Sequence, residues 1–150
     1  MRLLIQRTTG ASLAIDGTEY SHIGAGLLVL VGVENADGDE DIDWLAHKLI
    51  NLRIFNDPNG VMNLDVATVG GEIMIVSQFT LFASTRKGNR PSYIRSAKED
   101  IARPLYERFV SRVEELLGRP VATGVFGADM KISFVNDGPV TIMIDSKMRE

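Results

Sequence analysis

The chain has 150 residues, 45% hydrophobic and 24% charged, with a net charge of −4 and no cysteine. That describes one domain, 1–150, with enough chain to bury a core unaided, and the missing thiols exclude disulfides, thiolate metal sites and a cysteine nucleophile. No apolar run approaches the roughly 20 residues of a membrane span, and Met1 to Arg7 is too short and too soon charged for a signal peptide, so a cytoplasmic protein with no membrane partner is expected.

Leu3 to Thr8 reads as a first strand. Ser12 to Ile15 and Glu19 to Ile23 flank Asp16-Gly17, the strongest short hairpin signal. Leu27 to Val33 is a continuous apolar run, the pattern of a central strand buried on both faces. Six acids between Glu34 and Asp43 lead into a helix from Asp39 to Leu52, with Ile42, Leu45, Leu49 and Leu52 on one face. Asp39, Glu40, Asp41 and Asp43 complement the positive end of its dipole, so the acidic run needs no functional explanation. Arg53 to Phe55 is a short strand, Asp57-Pro58-Asn59-Gly60 a turn, and Val61 to Leu64 pairs back across it.

Glu72 to Phe82 is a longer strand. Ser84 to Ser96 has no periodicity and carries Gly88 and Pro91, so it is a loop. A second helix spans Arg103 to Leu117, with Pro104 at its first position, Leu105, Phe109, Val113 and Leu116 inward, and Gly118 as its cap. Val121 to Val125, Lys131 to Val135 and Val140 to Ile144 are further strands. The helices do not alternate with the strands, which excludes a doubly wound fold. The expectation is an α/β chain of α+β-like arrangement: curved mixed β-sheets of about eight short strands, covered on one face by two helices.

Conventional catalytic sets are missing. His22 and His47 have no companion at ligand spacing, no Gly-x-Ser-x-Gly elbow exists, and no Gly-rich phosphate loop follows a strand, so neither metal nor cofactor is expected. Two polar interruptions of the apolar sheet remain. In Ser77-Gln78-Phe79-Thr80 strict alternation would put Gln78 and Thr80 on one face and Ser77 and Phe79 on the other. An unpaired buried polar group there costs about 1–3 kcal/mol, so either the protein or a ligand satisfies them. In Asn136-Asp137-Gly138-Pro139-Val140-Thr141 a hairpin is the plainer reading, although Pro139 cannot donate to a ladder. Gly138-Pro139 is also a candidate cis bond, which sequence alone does not decide. Between Ser84 and Lys98, Arg86, Lys87, Arg90, Arg95 and Lys98 stand without an acid. A solvated loop accounts for that charge; on an acidic chain it also suits a partner with one charged end, such as a tRNA acceptor stem, and not duplex DNA.

These stretches, with Gln6-Arg7, Gly26 to Val33, Leu52-Arg53-Ile54-Phe55 and Met62-Asn63-Leu64, resemble the D-aminoacyl-tRNA deacylases over nearly the whole chain. Val76 to Leu81 matches one signature, Thr85-Arg86-Lys87-Gly88 with Arg90-Pro91-Ser92 the basic loop, and Phe126-Gly127-Ala128-Asp129-Met130 and Asn136 to Thr141 the remainder. The resemblance implies a homodimer, with its active site at the subunit interface, that hydrolyses D-aminoacyl-tRNA and glycyl-tRNA mischarged on tRNA(Ala). It implies that Ser77, Gln78, Phe79 and Thr80 hold the terminal adenosine and the ester, with Phe79 offering a face to adenine. Phe126, Met130, Asn136, Arg86, Lys87 and Arg90 would bind substrate. Gly138-Pro139, in cis, would enter the partner's pocket and block an L side chain with its carbonyl oxygens. The implied chemistry uses the neighbouring ribose hydroxyl and backbone N–H donors. A Thr80 nucleophile and a non-catalytic tRNA-binding module are the alternatives. One departure is Tyr93-Ile94-Arg95-Ser96, where many members carry phenylalanine and two small residues; Arg95 would add charge to the basic loop.

Overall fold

A computed structural model describes residues 1–149. Its elements run β1 (Arg2–Ile15), β2 (Thr18–Ile23), β3 (Gly26–Gly32), α1 (Asp39–Ile50), β4 (Phe55–Asn56), β5 (Met62–Leu64), β6 (Glu72–Ser77), a 3₁₀ turn (Phe79–Phe82), α2 (Glu99–Leu117), β7 (Ala122–Thr123) and β8 (Met130–Asp145). β3 is central. It pairs antiparallel with the first half of β1, Arg2 opposite Gly32, and parallel with β6, Val31 opposite Ser77. β7 adds parallel to β6, and β2 pairs with the second half of β1. β8 runs antiparallel to β1 along almost its full length. The result is one mixed, strongly curved sheet, with β4 and β5 as a separate ribbon.

The apolar run in β3 serves two cores, because successive side chains leave opposite faces of a strand. Leu27, Val29 and Val31 join Leu3, Ile5, Ile73 and Ile75 under the helices. Ile42, Leu45 and Leu49 of α1 and Leu105, Phe109 and Val113 of α2 close that core. Leu28 joins Met74 and Val76 on the other face, where Ala11, Leu13 and Ile23 cover them. Each such side chain contributes roughly 1.5–3 kcal/mol by leaving water, which fixes the sheet between two packed layers.

Several elements differ from the sequence-based expectation. The two strands expected at Leu3–Thr8 and Ser12–Ile15 are one strand, bent at Thr8 to Gly10. Buried Thr8 satisfies the irregularity itself: the Gly10 N–H donates to its Oγ1 at 3.0 Å, and its hydroxyl donates to the Gly10 carbonyl at 2.7 Å. The two strands expected around Asn136–Pro139 are likewise one strand, β8, with no hairpin between them. Helix α2 begins at Glu99, so Pro104 is its sixth residue and not its first. Both Pro104 and Asp100 are exposed, so the carbonyl that loses its intrahelical donor reaches water. The strand expected to reach Phe82 stops at Ser77.

Candidate active site

Gly32 decides where β6 ends. A Cβ there would lie 3.0 Å from Leu81 Cβ and 3.2 Å from both Gln78 O and Phe82 Cδ2. The chain after Ser77 therefore packs directly onto β3 backbone. Gln78 donates its N–H to Val31 O at 2.7 Å, leaves strand geometry at φ −147° and ψ 85°, and the 3₁₀ turn follows. Buried Phe82 anchors the turn beneath the Arg2 guanidinium, 4.5 Å from its ring centroid. Arg2 also donates to Leu81 O at 2.9 Å and pairs with Asp145 at 2.7 Å. Ser96 Oγ donates to Phe79 O at 2.7 Å. Among the described residues, the consecutive N–H groups of Phe79 and Thr80 find no protein acceptor. The Gln78 side-chain amide donates to Thr80 Oγ1.

This turn forms one wall of a cavity of about 410 Å³. Ser77, Gln78 and Phe79 face it, so the break in strand geometry brings together residues that alternation would have separated. Ala97, just before α2, and Ala102 and Tyr106 in its first half form a second wall, and Phe126 to Met130 a third. The Tyr106 hydroxyl donates to Ile75 O at 2.8 Å, and burial pushes its phenol well above the usual range. Its ring meets Phe126 at 5.9 Å, and Arg103 lies over Phe126 at 5.3 Å. Glu99 and Asp129 stand at the lining, paired with Arg103 at 2.5 Å and Lys131 at 2.8 Å. The lining holds no histidine, lysine or cysteine. Tyr106 was missed in the sequence, where it continues the apolar face of α2 like any core residue.

Five expected site residues, Ser77, Gln78, Phe79, Phe126 and Met130, thus share one cavity, and Thr80 adjoins it through Gln78. The others lie elsewhere. Arg86, Lys87 and Arg90 are exposed on an arm closed by reciprocal backbone hydrogen bonds between Ser84 and Ser92, at 2.8 and 2.9 Å. Arg95 does not extend that charge: it pairs with Glu34 at 3.3 Å and lies over the Phe82 ring at 5.4 Å.

Asn136, Gly138 and Pro139 lie outside the cavity lining and belong to an excursion of β8. Gln6 faces Thr141 and Thr8 faces Asn136, so the four residues Asp137 to Val140 stand opposite Arg7 alone. The Asn136 side chain closes the base of this tip, donating to Thr141 Oγ1 at 2.9 Å and accepting from the Val140 N–H at 3.2 Å. Beneath it lies the buried Arg7 guanidinium, donating to Ile54 O at 2.6 Å. Gly138 has φ +122°, a conformation suited to glycine, and a Cβ there would meet Val140 Cγ2 at 2.8 Å and Arg7 Nη2 at 3.0 Å. The Gly138–Pro139 bond is cis, and both residues are exposed.

Comparison with known proteins agrees with this geometry. A family model described as D-Tyr-tRNA(Tyr) deacylase matches residues 4–145. The chain is 62% identical to a D-aminoacyl-tRNA deacylase of Parabacteroides distasonis and 57% identical to one of Bacteroides thetaiotaomicron, in each case over 100% of both chains. Among solved structures, the c-Myc DNA Unwinding Element Binding Protein is similar with a TM-score of 0.92 at 35% identity, over 97% of this chain and 98% of its own. A probable eukaryotic D-amino acid tRNA deacylase shares the fold at a TM-score of 0.81 and 21% identity, over 95% of this chain and 97% of its own. A match along residues 4–145, joined to relatives more than half identical over their whole length, places the chain in the D-Tyr-tRNA(Tyr) deacylase family.

Proposed function

We propose that this chain hydrolyses the ester bond joining a D-amino acid to the 3′ end of tRNA. The observation that carries the reading is the cavity itself: beside it two backbone N–H groups that have no protein acceptor among the described residues, and at its lining no histidine, lysine or cysteine, with the carboxylates of Glu99 and Asp129 each paired with a cation. Such a site suits a substrate that is already activated. Water attacks the ester carbonyl carbon, the N–H groups of Phe79 and Thr80 receive the developing oxyanion, and the bond to the ribose oxygen breaks. Positioned donors of this kind are worth about 2.7–4 kcal/mol each. The neighbouring ribose hydroxyl relays the proton, and free D-amino acid and tRNA leave. The adenosine occupies the cavity between Phe126, Met130 and the Ser77–Phe79 wall, and Arg86, Lys87 and Arg90 face RNA phosphates.

Selection by handedness belongs to Gly138 and Pro139 of a second copy. Support comes from their exposure and from the Arg7–Asp137 ion pair and the Asn136 hydrogen bonds that hold the tip. They do not line the cavity of their own chain, which fits a site completed by a second copy. Their carbonyl oxygens crowd an L side chain, while a D side chain points away and glycine, having none, also passes. This is discrimination by exclusion between mirror images that share every binding group. Glycyl-tRNA mischarged on tRNA(Ala) is therefore a second substrate.

The test is release of amino acid from D-tyrosyl-tRNA and L-tyrosyl-tRNA without added metal. The D ester is expected to be hydrolysed and the L ester to survive. Equal turnover of both overturns the reading. Salt-sensitive tRNA binding without release would instead identify a non-catalytic module.

A further inference from the structure

We propose that Phe79 and Tyr93 form a stacking platform for the unpaired nucleotide that precedes the terminal adenosine, and that the Arg86–Arg90 arm holds its phosphates. The inference rests on the functional reading above and extends it by one nucleotide. Inside the cavity the aromatic wall is Phe126 with Tyr106 against it. Phe79 stands at the lip and is 56% exposed. Its ring meets Tyr93 edge-on, centroids 4.9 Å apart and planes at 75°, and Tyr93 is itself 39% exposed. Ile94, beside it in the chain, is 86% exposed. An edge-on pair leaves ring faces open, and among the described residues this apolar lip keeps a large part of its surface exposed.

The platform is held in place. Ser96 binds the Phe79 carbonyl through its hydroxyl and the Tyr93 carbonyl through its N–H, at 2.7 and 2.9 Å, so one residue ties both ring-bearing segments together. Tyr93 also follows Ser92, where the arm closes. Among the described residues, Arg86, Lys87 and Arg90 pair with no acid, on a chain that is acidic overall. A path leaving the cavity therefore crosses two aromatic faces and reaches three free cations. That sequence of surfaces fits single-stranded RNA, whose bases stack on aromatic rings with little sequence preference while its phosphates meet cations. A duplex offers no free base faces to the platform.

The experiment compares D-tyrosyl-adenosine with the D-tyrosyl ester of the trinucleotide CCA in steady-state hydrolysis. In the unaltered chain the trinucleotide is expected to have about a tenfold higher kcat/KM, carried by KM. Tyr93→Leu, which keeps apolar packing without a ring face, is expected to abolish that advantage, and Tyr93→Phe to keep it. Replacing Arg86, Lys87 and Arg90 together by Gln is expected to flatten the salt dependence of the trinucleotide KM. An unaltered chain with no trinucleotide advantage overturns the platform, as does a Tyr93→Leu chain that retains it or whose loss falls on kcat alone. Hydrolysis of neither D ester by the unaltered chain overturns the functional reading, and this inference with it.

Discussion

Arg7 Nε lies 3.0 Å from Asp137 Oδ2, at the point where one residue of β1 faces four of β8. The Arg7 side chain is 9% exposed, so its charge is nearly removed from water beneath the tip that carries Gly138 and Pro139. Its remaining partner is the Ile54 carbonyl. Arg7→Met is expected to free the tip, lowering stability by about 1–3 kcal/mol, since the ion pair with Asp137 and the charge-assisted bond to the Ile54 carbonyl are both lost. The D-to-L hydrolysis ratio is expected to fall at least tenfold, by analogy with other losses of positioned groups. Urea midpoints and paired deacylation assays measure both. An unchanged ratio in a folded Arg7→Met chain would detach the tip from chiral selection.

Thr80 is expected to position and not to attack. Its Oγ accepts from the Gln78 amide, which draws electron density from the oxygen, and no histidine or lysine lines the cavity to remove its proton. Thr80→Ala is expected to keep hydrolysis within about tenfold of the unaltered chain, because the backbone donors persist. A D-tyrosyl-tRNA whose terminal ribose lacks its free hydroxyl is expected to lose at least about a hundredfold, the usual scale of a missing proton relay. The reverse pair of results would establish a threonine nucleophile.

Gly32 packs against the turn that carries the Phe79 and Thr80 N–H groups. Gly32→Val would push side-chain atoms into Leu81 and Phe82 and into the Gln78 carbonyl, all of which a Cβ alone already meets at 3.0–3.2 Å. A loss of about 1–3 kcal/mol in stability is expected from overpacking. Activity is expected to fall by more than the same loss of stability produces at a distant core site, because the Phe79 and Thr80 N–H groups move with the turn. Val113→Ala, in the core on the far half of α2, is a destabilised control.

Acid stability depends on Asp41. Burial opposes its charge, but bonds from Lys147 and Ser146 and from the Gly38 N–H outweigh that, so its carboxyl titrates at about 2 against an ordinary 3.8. The folded value lies below the unfolded one. Its contribution is therefore complete above about pH 5 and disappears as the pH falls through 3.8 towards about 2. The difference corresponds to roughly 2 kcal/mol. Asp41→Asn is expected to be less stable at neutral pH and to show a flatter decline between about pH 5 and about pH 2, read from urea midpoints.

What was legible in the sequence had a local cause. Leu27 to Val33 marked the central strand because a strand buried on both faces tolerates no polar residue. Ile42, Leu45 and Leu49 marked α1 by spacing alone. What was hidden had a distant cause. Pro104 drew the expected start of α2 inward, although water at the Asp100 carbonyl lets the helix begin at Glu99. The tip of β8 resembled a hairpin because both need a permissive glycine, and only pairing with β1 on either side distinguishes them. The end of β6 is imposed by contact with Gly32 across the sheet, which no periodicity within Glu72 to Phe82 reveals. Ser77, Gln78 and Phe126, which the family signatures single out, line one cavity, but no signature marks the wall that Tyr106 builds between them.

The separation of the Gly138–Pro139 tip from its own cavity has a consequence for inheritance of function. If each working site draws its cavity from one chain and its tip from another, two separately defective chains can repair each other. Gly138→Ala damages only tips, and a Gly32→Val chain damages only cavities. Mixed in equal amounts and allowed to exchange, they are expected to form hybrids with one sound site in two, and so to recover about a quarter of the discriminating activity. Neither variant alone would show it. The trait then belongs to the pair, and selection acts on a surface that no single copy of the chain can use for itself.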